Sequence, residues 1–211
     1  VTIPDGAVIS DGGGKITVGA FDITFVNNSF KSDYLRTFID IGASGTINDA
    51  STFSQVDFDI IWLGVIFDYD HSTGVGTDNF NTLRQCFKIP RLNNGGTITA
   101  LKQGAFAHNV VTQGSYVFSI PTGVYMSGDN VHFKMGAKTI YQVLGNDKDS
   151  TRGFSIFRTT NSSVSGGLFR GDGRYWHTLQ TPETNHGGSH GVVISGKNDY
   201  LKFSSSISEW E

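Results

Sequence analysis

From Gly95 onward the sequence returns again and again to a short run of alternating apolar and polar residues, set off by asparagine or glycine turns. The runs are Thr97-Ile-Thr-Ala-Leu, Tyr116-Val-Phe-Ser-Ile, Val131-His-Phe-Lys-Met, Phe154-Ser-Ile-Phe, Val192-Val-Ile-Ser and Tyr200-Leu-Lys-Phe. Alternation of this kind predicts strands with one buried face. Gly153-Phe-Ser-Ile followed by Asn161-Ser-Ser-Val-Ser-Gly-Gly parallels Gly191-Val-Val-Ile followed by Asn198-Asp-Tyr-Leu-Lys-Phe-Ser, and Asp129-Asn-Val-His-Phe-Lys-Met is an earlier partial copy. Asn suits the bend before each strand, because it tolerates left-handed backbone and bonds its own backbone. The steps between these asparagines are unequal, as expected for repeats that share a core strand and carry loops of different length. The longest such loop runs from Arg174 to His190.

The rest of the chain fits a β-rich protein. Glycine is abundant at 27 residues and proline scarce at 4, with no helix-forming Ala/Leu/Glu/Lys stretch. Residues 1–69 read as a small β module, with strands expected at Lys15-Ile-Thr-Val, Phe21-Asp-Ile-Thr-Phe-Val, Thr37-Phe-Ile-Asp-Ile and Gln55-Val-Asp-Phe-Asp-Ile-Ile-Trp-Leu. One helix is expected over residues 79–87, N-capped by Asp78 and stopped by Pro90, with Phe80, Leu83 and Phe87 on one face. A net charge of −3 without a basic run argues against nucleic acid. The longest apolar run, Ile60 to Phe67, is too short to span a bilayer. Cys86 stands alone, so no intramolecular disulfide holds the fold.

Asp70-His-Ser-Thr-Gly-Val-Gly-Thr-Asp-Asn-Phe-Asn-Thr-Leu-Arg-Gln-Cys-Phe, followed by Asn94-Gly-Gly-Thr-Ile-Thr, resembles the opening of pectate-lyase-superfamily β-helices. Ile120-Pro-Thr-Gly-Val-Tyr and Asn130-Val-His-Phe-Lys-Met-Gly-Ala match the strands that follow in that family, so the resemblance covers roughly residues 65–211. Bacteriophage tailspikes and secreted polysaccharide lyases and hydrolases share this opening. The resemblance implies an all-β chain: an N-terminal β module at 1–69, then at 70–211 a capping helix and the first turns of a right-handed parallel β-helix. The last residues, Leu201 to Glu211, stop partway through a repeat, which predicts that the sequence is part of a longer protein.

Polysaccharide cleavage requires paired carboxylates or a base beside a uronate. The densest polar and aromatic stretch, Arg170-Gly-Asp-Gly-Arg-Tyr-Trp-His into Thr181-Pro-Glu-Thr-Asn-His, supplies the candidates. Asp172 and Glu183 are the candidate catalytic carboxylates. Arg170, Arg174, Tyr175, Trp176, His177 and His186 are candidate substrate contacts, the arginines for acidic sugars and the aromatic rings for stacking. Trp210, between Glu209 and Glu211, is a further candidate contact. The His186/His190 pair is spaced like a helical zinc pair, but Gly187-Gly-Ser between them disfavours a helix, and no metal or other cofactor is expected.

The resulting expectation is a tailspike or tail fibre protein of the virion, homotrimeric, that binds a bacterial surface polysaccharide and degrades it. Its N-terminal module would meet other virion proteins, and neither nucleic acid nor a membrane is an expected partner. A secreted lyase or glycosidase and a non-catalytic adhesive β-helix are the alternatives.

Overall fold

Runs that alternate apolar and polar residues form strands with one buried face, and strands distant in sequence must pair to satisfy their backbone. The computed structural model describes residues 1–10, 12, 14–109, 111–112, 123–144, 151–171, 190–195 and 201–208. It is all-β in character, with one α-helix among the described residues. In the N-terminal part, β1 (Val8–Ser10) pairs in parallel with β4 (Ser29–Lys31), β2 (Ile16–Thr17) with β5 (Ile39–Asp40), and β3 (Asp22–Ile23) with β6 (Thr46–Ile47). Every strand there thus finds its partner one short lap further along the chain.

The same arrangement continues with longer laps. β7 (Asp57–Asp59) pairs in parallel with β8 (Gly96–Ala100), β8 with β12 (Val131–Met135), β12 with the first half of β15 (Ser163–Arg170), and β15 with β17 (Lys202–Ser208). A second parallel row joins β9 (Gly104–Asn109), β13 (Thr139–Leu144) and the second half of β15. A third joins β11 (Val124–Asp129), β14 (Thr151–Thr160) and β16 (His190–Ser195). The short β10 (Val111–Thr112) runs antiparallel to β14.

Register fixes which side chains stack inside. Ile9 lies opposite Phe30, whose ring is 5.5 Å from that of Phe58. Phe58 then lies opposite Ile98, Ile98 opposite Phe133, Phe133 opposite Val164, and Val164 opposite Phe203. This apolar column begins in the N-terminal part and runs to the last described strand. All its members but the partly buried Phe203 are buried. Each fully buried side chain of this size contributes roughly 1.5–3 kcal/mol of transfer free energy. A second column stacks Phe67, Phe106, Tyr141 and Phe169, with successive ring centroids 4.9, 4.8 and 5.1 Å apart. The core is continuous across position 69, where the sequence divides module from repeats.

The helix differs from expectation at both ends. α1 spans Phe80–Leu92, with Asn79 at the N-cap position, while the Asp78 carboxylate still accepts from the Phe80 amide at 3.0 Å. Pro90 does not stop it: the helix accommodates the proline, at the loss of one backbone donor, and continues through Arg91 and Leu92. Termination falls instead to Asn93-Asn94-Gly95: Asn94 turns left-handed, and the Gly95 amide returns to the Pro90 carbonyl at 2.8 Å. On one side Phe87 packs against Phe133 and Phe154, at 5.1 and 5.2 Å. On the other, Asn81 donates to the carbonyls of Gly42 and Gly45, and Gln85 accepts from the Ile47 amide. The polar stripe of α1 therefore meets the backbone of residues 42–47. The expected strand at residues 55–63 also divides. Asp59 ends β7 by accepting from the Ile61 amide, and Ile60–Leu63 form a 3-10 turn.

Asn130 and Asn161 confirm the repeat at the level of local geometry. Both adopt left-handed backbone, and the Asn161 side-chain Nδ2 donates to the Asn130 Oδ1 at 2.8 Å. Asn198 lies outside the described residues. Within β15 the change of partner from β12 to β13 occurs at Gly166-Gly167. A Cβ on Gly166 would lie 2.2 Å from the Met135 carbonyl oxygen, on a backbone with φ of 72°. Gly166→Ala is expected to destabilise the protein by about 1–3 kcal/mol, read as a lower denaturant midpoint. An unchanged midpoint would mean that this corner has room.

Candidate functional site

Of the residues singled out for chemistry, Arg170 is described. It ends β15 opposite Gln142 of β13 and Ser208 of β17, partly buried, next to the inward-facing Phe169. Alternation places it on the outer face of that row. Asp172, Arg174, Tyr175, Trp176, His177, Glu183, His186 and Trp210 lie outside the described residues, so the structure neither joins nor separates them. His190 opens β16.

What the described residues do form is an open groove of about 650 Å³ along β4, β7 and β8. Lys31, Asp33, Tyr34, Asp57, Trp62 and Leu101 are among its lining residues. The bend at Ser32-Asp33-Tyr34 is locked from within, since the Ser32 hydroxyl accepts from the Tyr34 amide at 3.0 Å. The Trp62 indole N–H donates to the Tyr34 carbonyl at 2.8 Å, fixing the ring's edge. Phe38 supports the Trp62 ring from behind at 5.6 Å, and the Arg36 guanidinium lies over the Tyr34 ring at 5.5 Å. Tyr34 is nonetheless 64% exposed, and Leu35 and Leu101 are exposed beside it. An aromatic ring left open next to an ordered tryptophan provides a surface for stacking against a flat, partly apolar ligand.

The groove's carboxylates divide in character. Asp33 and Asp57 are exposed. Asp59 is buried and accepts from the Ile61 amide, the Leu101 amide and the Thr99 hydroxyl, at 3.0, 2.9 and 3.0 Å. Burial raises its pKa, and these three hydrogen bonds oppose the rise. With its oxygens occupied by backbone and Thr99, Asp59 ties β7 to the turn after β8; it is a structural carboxylate. The groove can therefore bind through rings, hydroxyls and exposed carboxylates.

Along the outer face of the same row, Asp57, Thr97, His132, Ser163 and Lys202 follow one another in register, with His132 Nδ1 2.9 Å from the Ser163 hydroxyl. This polar row continues from the groove across every strand of the row.

Other reactive side chains are sealed in the core. Cys86 is fully buried, and burial pushes its thiol well up, so it is not a nucleophile at neutral pH. Among the described residues no group of three His, Cys, Asp or Glu side chains converges to hold a metal ion. Compared with family models, with curated proteins and with solved structures, the chain matches none.

Sequence reasoning passed over the groove. Its one signal is Ser32-Asp33-Tyr34-Leu35-Arg36, where two large apolar residues sit in a turn with no alternation to bury them.

Proposed function

We propose that the chain forms the N-terminal turns of a right-handed parallel β-helix and that this surface binds a bacterial surface polysaccharide, as part of a trimeric phage tailspike or tail fibre protein. The observation that carries the binding half is the groove of Tyr34, Trp62 and Asp57, open at the end of a polar row that crosses successive parallel strands. A polymer of repeating sugars suits a surface whose side chains repeat at the strand spacing of about 4.8 Å. Parallel pairing at unequal laps, with left-handed asparagines stacked at one corner, supports the β-helix reading. The tailspike assignment itself rests on the sequence resemblance. Asp59 is committed to structural hydrogen bonds, which leaves Asp33 and Asp57 as the exposed carboxylates of the groove.

The test is incubation of the full-length protein with capsular and other surface polysaccharides from candidate hosts, following binding, reducing ends and ultraviolet absorbance of unsaturated uronates. New reducing ends with rising absorbance identify a lyase, and reducing ends alone a hydrolase. Binding without either identifies an adhesin. Tyr34→Ala is expected to weaken binding roughly tenfold, about 1.4 kcal/mol, with folding intact because the ring is largely exposed. Failure to bind any glycan would overturn the proposal.

A further inference from the structure

On α1 the spacing of Arg84, Lys88 and Arg91 (i, i+4, i+7) gathers three cations on one stripe of the helix. With Asp49 and Tyr125 they surround a second pocket, of about 240 Å³. Lys88 is the one cation matched by a carboxylate: its Nζ lies 2.7 Å from Asp49 and also donates to the Ile47 carbonyl. Arg91 is held by Tyr125, lying over its ring at 5.3 Å and donating from Nη1 to the phenol oxygen. Arg84 lies over the Phe80 ring at 5.6 Å. Among the described residues neither arginine meets a carboxylate.

Three positive groups against one negative one, on a single helical stripe, repel one another. Burial of Arg91 adds to the cost of its charge, and the nearby Arg84 charge works the same way, while Asp49 works against both. The phenol of Tyr125 accepts from Arg91, so its own proton is free to donate outward. Arg91 is positioned in advance, so a ligand that engages it gives up little side-chain freedom. We propose that this pocket binds a single oxyanion group, held by Arg84, Arg91 and the Tyr125 hydroxyl, with Lys88 shared between the ligand and Asp49. A carboxylate or sulfate fits the volume, either as a free ion or carried on a sugar. The site is distinct from the Tyr34/Trp62 groove and does not depend on the polysaccharide reading.

The experiment is a titration of the full chain, with arginine side-chain Nε–H resonances followed by NMR at constant ionic strength. The probes are sodium sulfate, sodium glucuronate, and glucose and sodium chloride as controls. The expected result is a saturable shift of the Arg91 resonance with sulfate and glucuronate, and none with the controls. Response to both probes means that the oxyanion alone is recognised; response to glucuronate only means that the sugar carrying it is also read. Arg84→Gln, an exposed position, should weaken the binding at least tenfold without altering the fold. Absence of a saturable shift with either oxyanion, or an undiminished one in Arg84→Gln, would overturn the proposal.

Discussion

Replacing Phe133 with alanine is expected to lower the free energy of unfolding by about 3–5 kcal/mol, the range for truncating a buried aromatic ring in a packed core. Phe133 is fully buried, lies between Ile98 and Val164 in the apolar column, and meets Phe87 and Phe154 at 5.1 and 6.0 Å. It thus joins two stacked strands to the helix, and the backbone ladder on either side restrains collapse into the space left behind. The control is Phe21→Ala. Phe21 is 73% exposed, so its removal should change stability by no more than about 0.5 kcal/mol. Chemical denaturation of both variants measures the difference. Similar losses at the two positions would contradict the packing described here.

The second large effect depends on pH. His108 is wholly buried against the Tyr141 ring at 5.4 Å, with Nδ1 2.8 Å from the Asn109 carbonyl and, among the described residues, no partner on Nε2. Burial lowers its pKa from 6.5 to about 4, against smaller opposing effects of the Asn109 carbonyl and Asp78. The folded state therefore holds the ring neutral while the unfolded chain takes up a proton below pH 6.5. The stability due to the neutral ring is complete above pH 6.5 and is lost as pH falls toward 4, a loss of roughly 3 kcal/mol. His108→Phe keeps a ring beside Tyr141 and removes the titration. The wild-type stability, measured relative to this variant, should fall across that window. Parallel pH curves would show that His108 is reached by water.

Legibility of the fold from sequence followed how local its causes are. The left-handed asparagines at 130 and 161 were readable because Asn carries its preference with it. Strand β12 was readable because Val131, Phe133 and Met135 alternate with polar residues and all three are buried. Residues 55–63 misled because the apolar run suits a strand and a helical turn alike, and the choice depends on Asp59 bonding two residues ahead. The extent of α1 misled because proline disfavours a helix without forbidding it, and here the helix runs two residues past Pro90 before Asn93 and Asn94 end it. Its placement could not be read at all, since the partners of Asn81 and Gln85 are backbone groups of residues 42–47.

The groove was hidden for a related reason. Tyr34 and Trp62 stand 28 residues apart and meet only because successive laps stack in parallel. Density of polar and aromatic residues along the chain pointed to the stretch 170–186, which measures what is near in sequence and not what the stacking brings together.

The most direct test of the binding surface is backbone hydrogen exchange on the full-length protein, with and without a polysaccharide that it binds. The expected result is slowed exchange at residues 29–35, 55–62 and 97–101, the segments that line the groove. Unchanged exchange in all three, with slowing confined to other segments, would contradict the assignment of the Tyr34/Trp62 groove as the glycan-binding site.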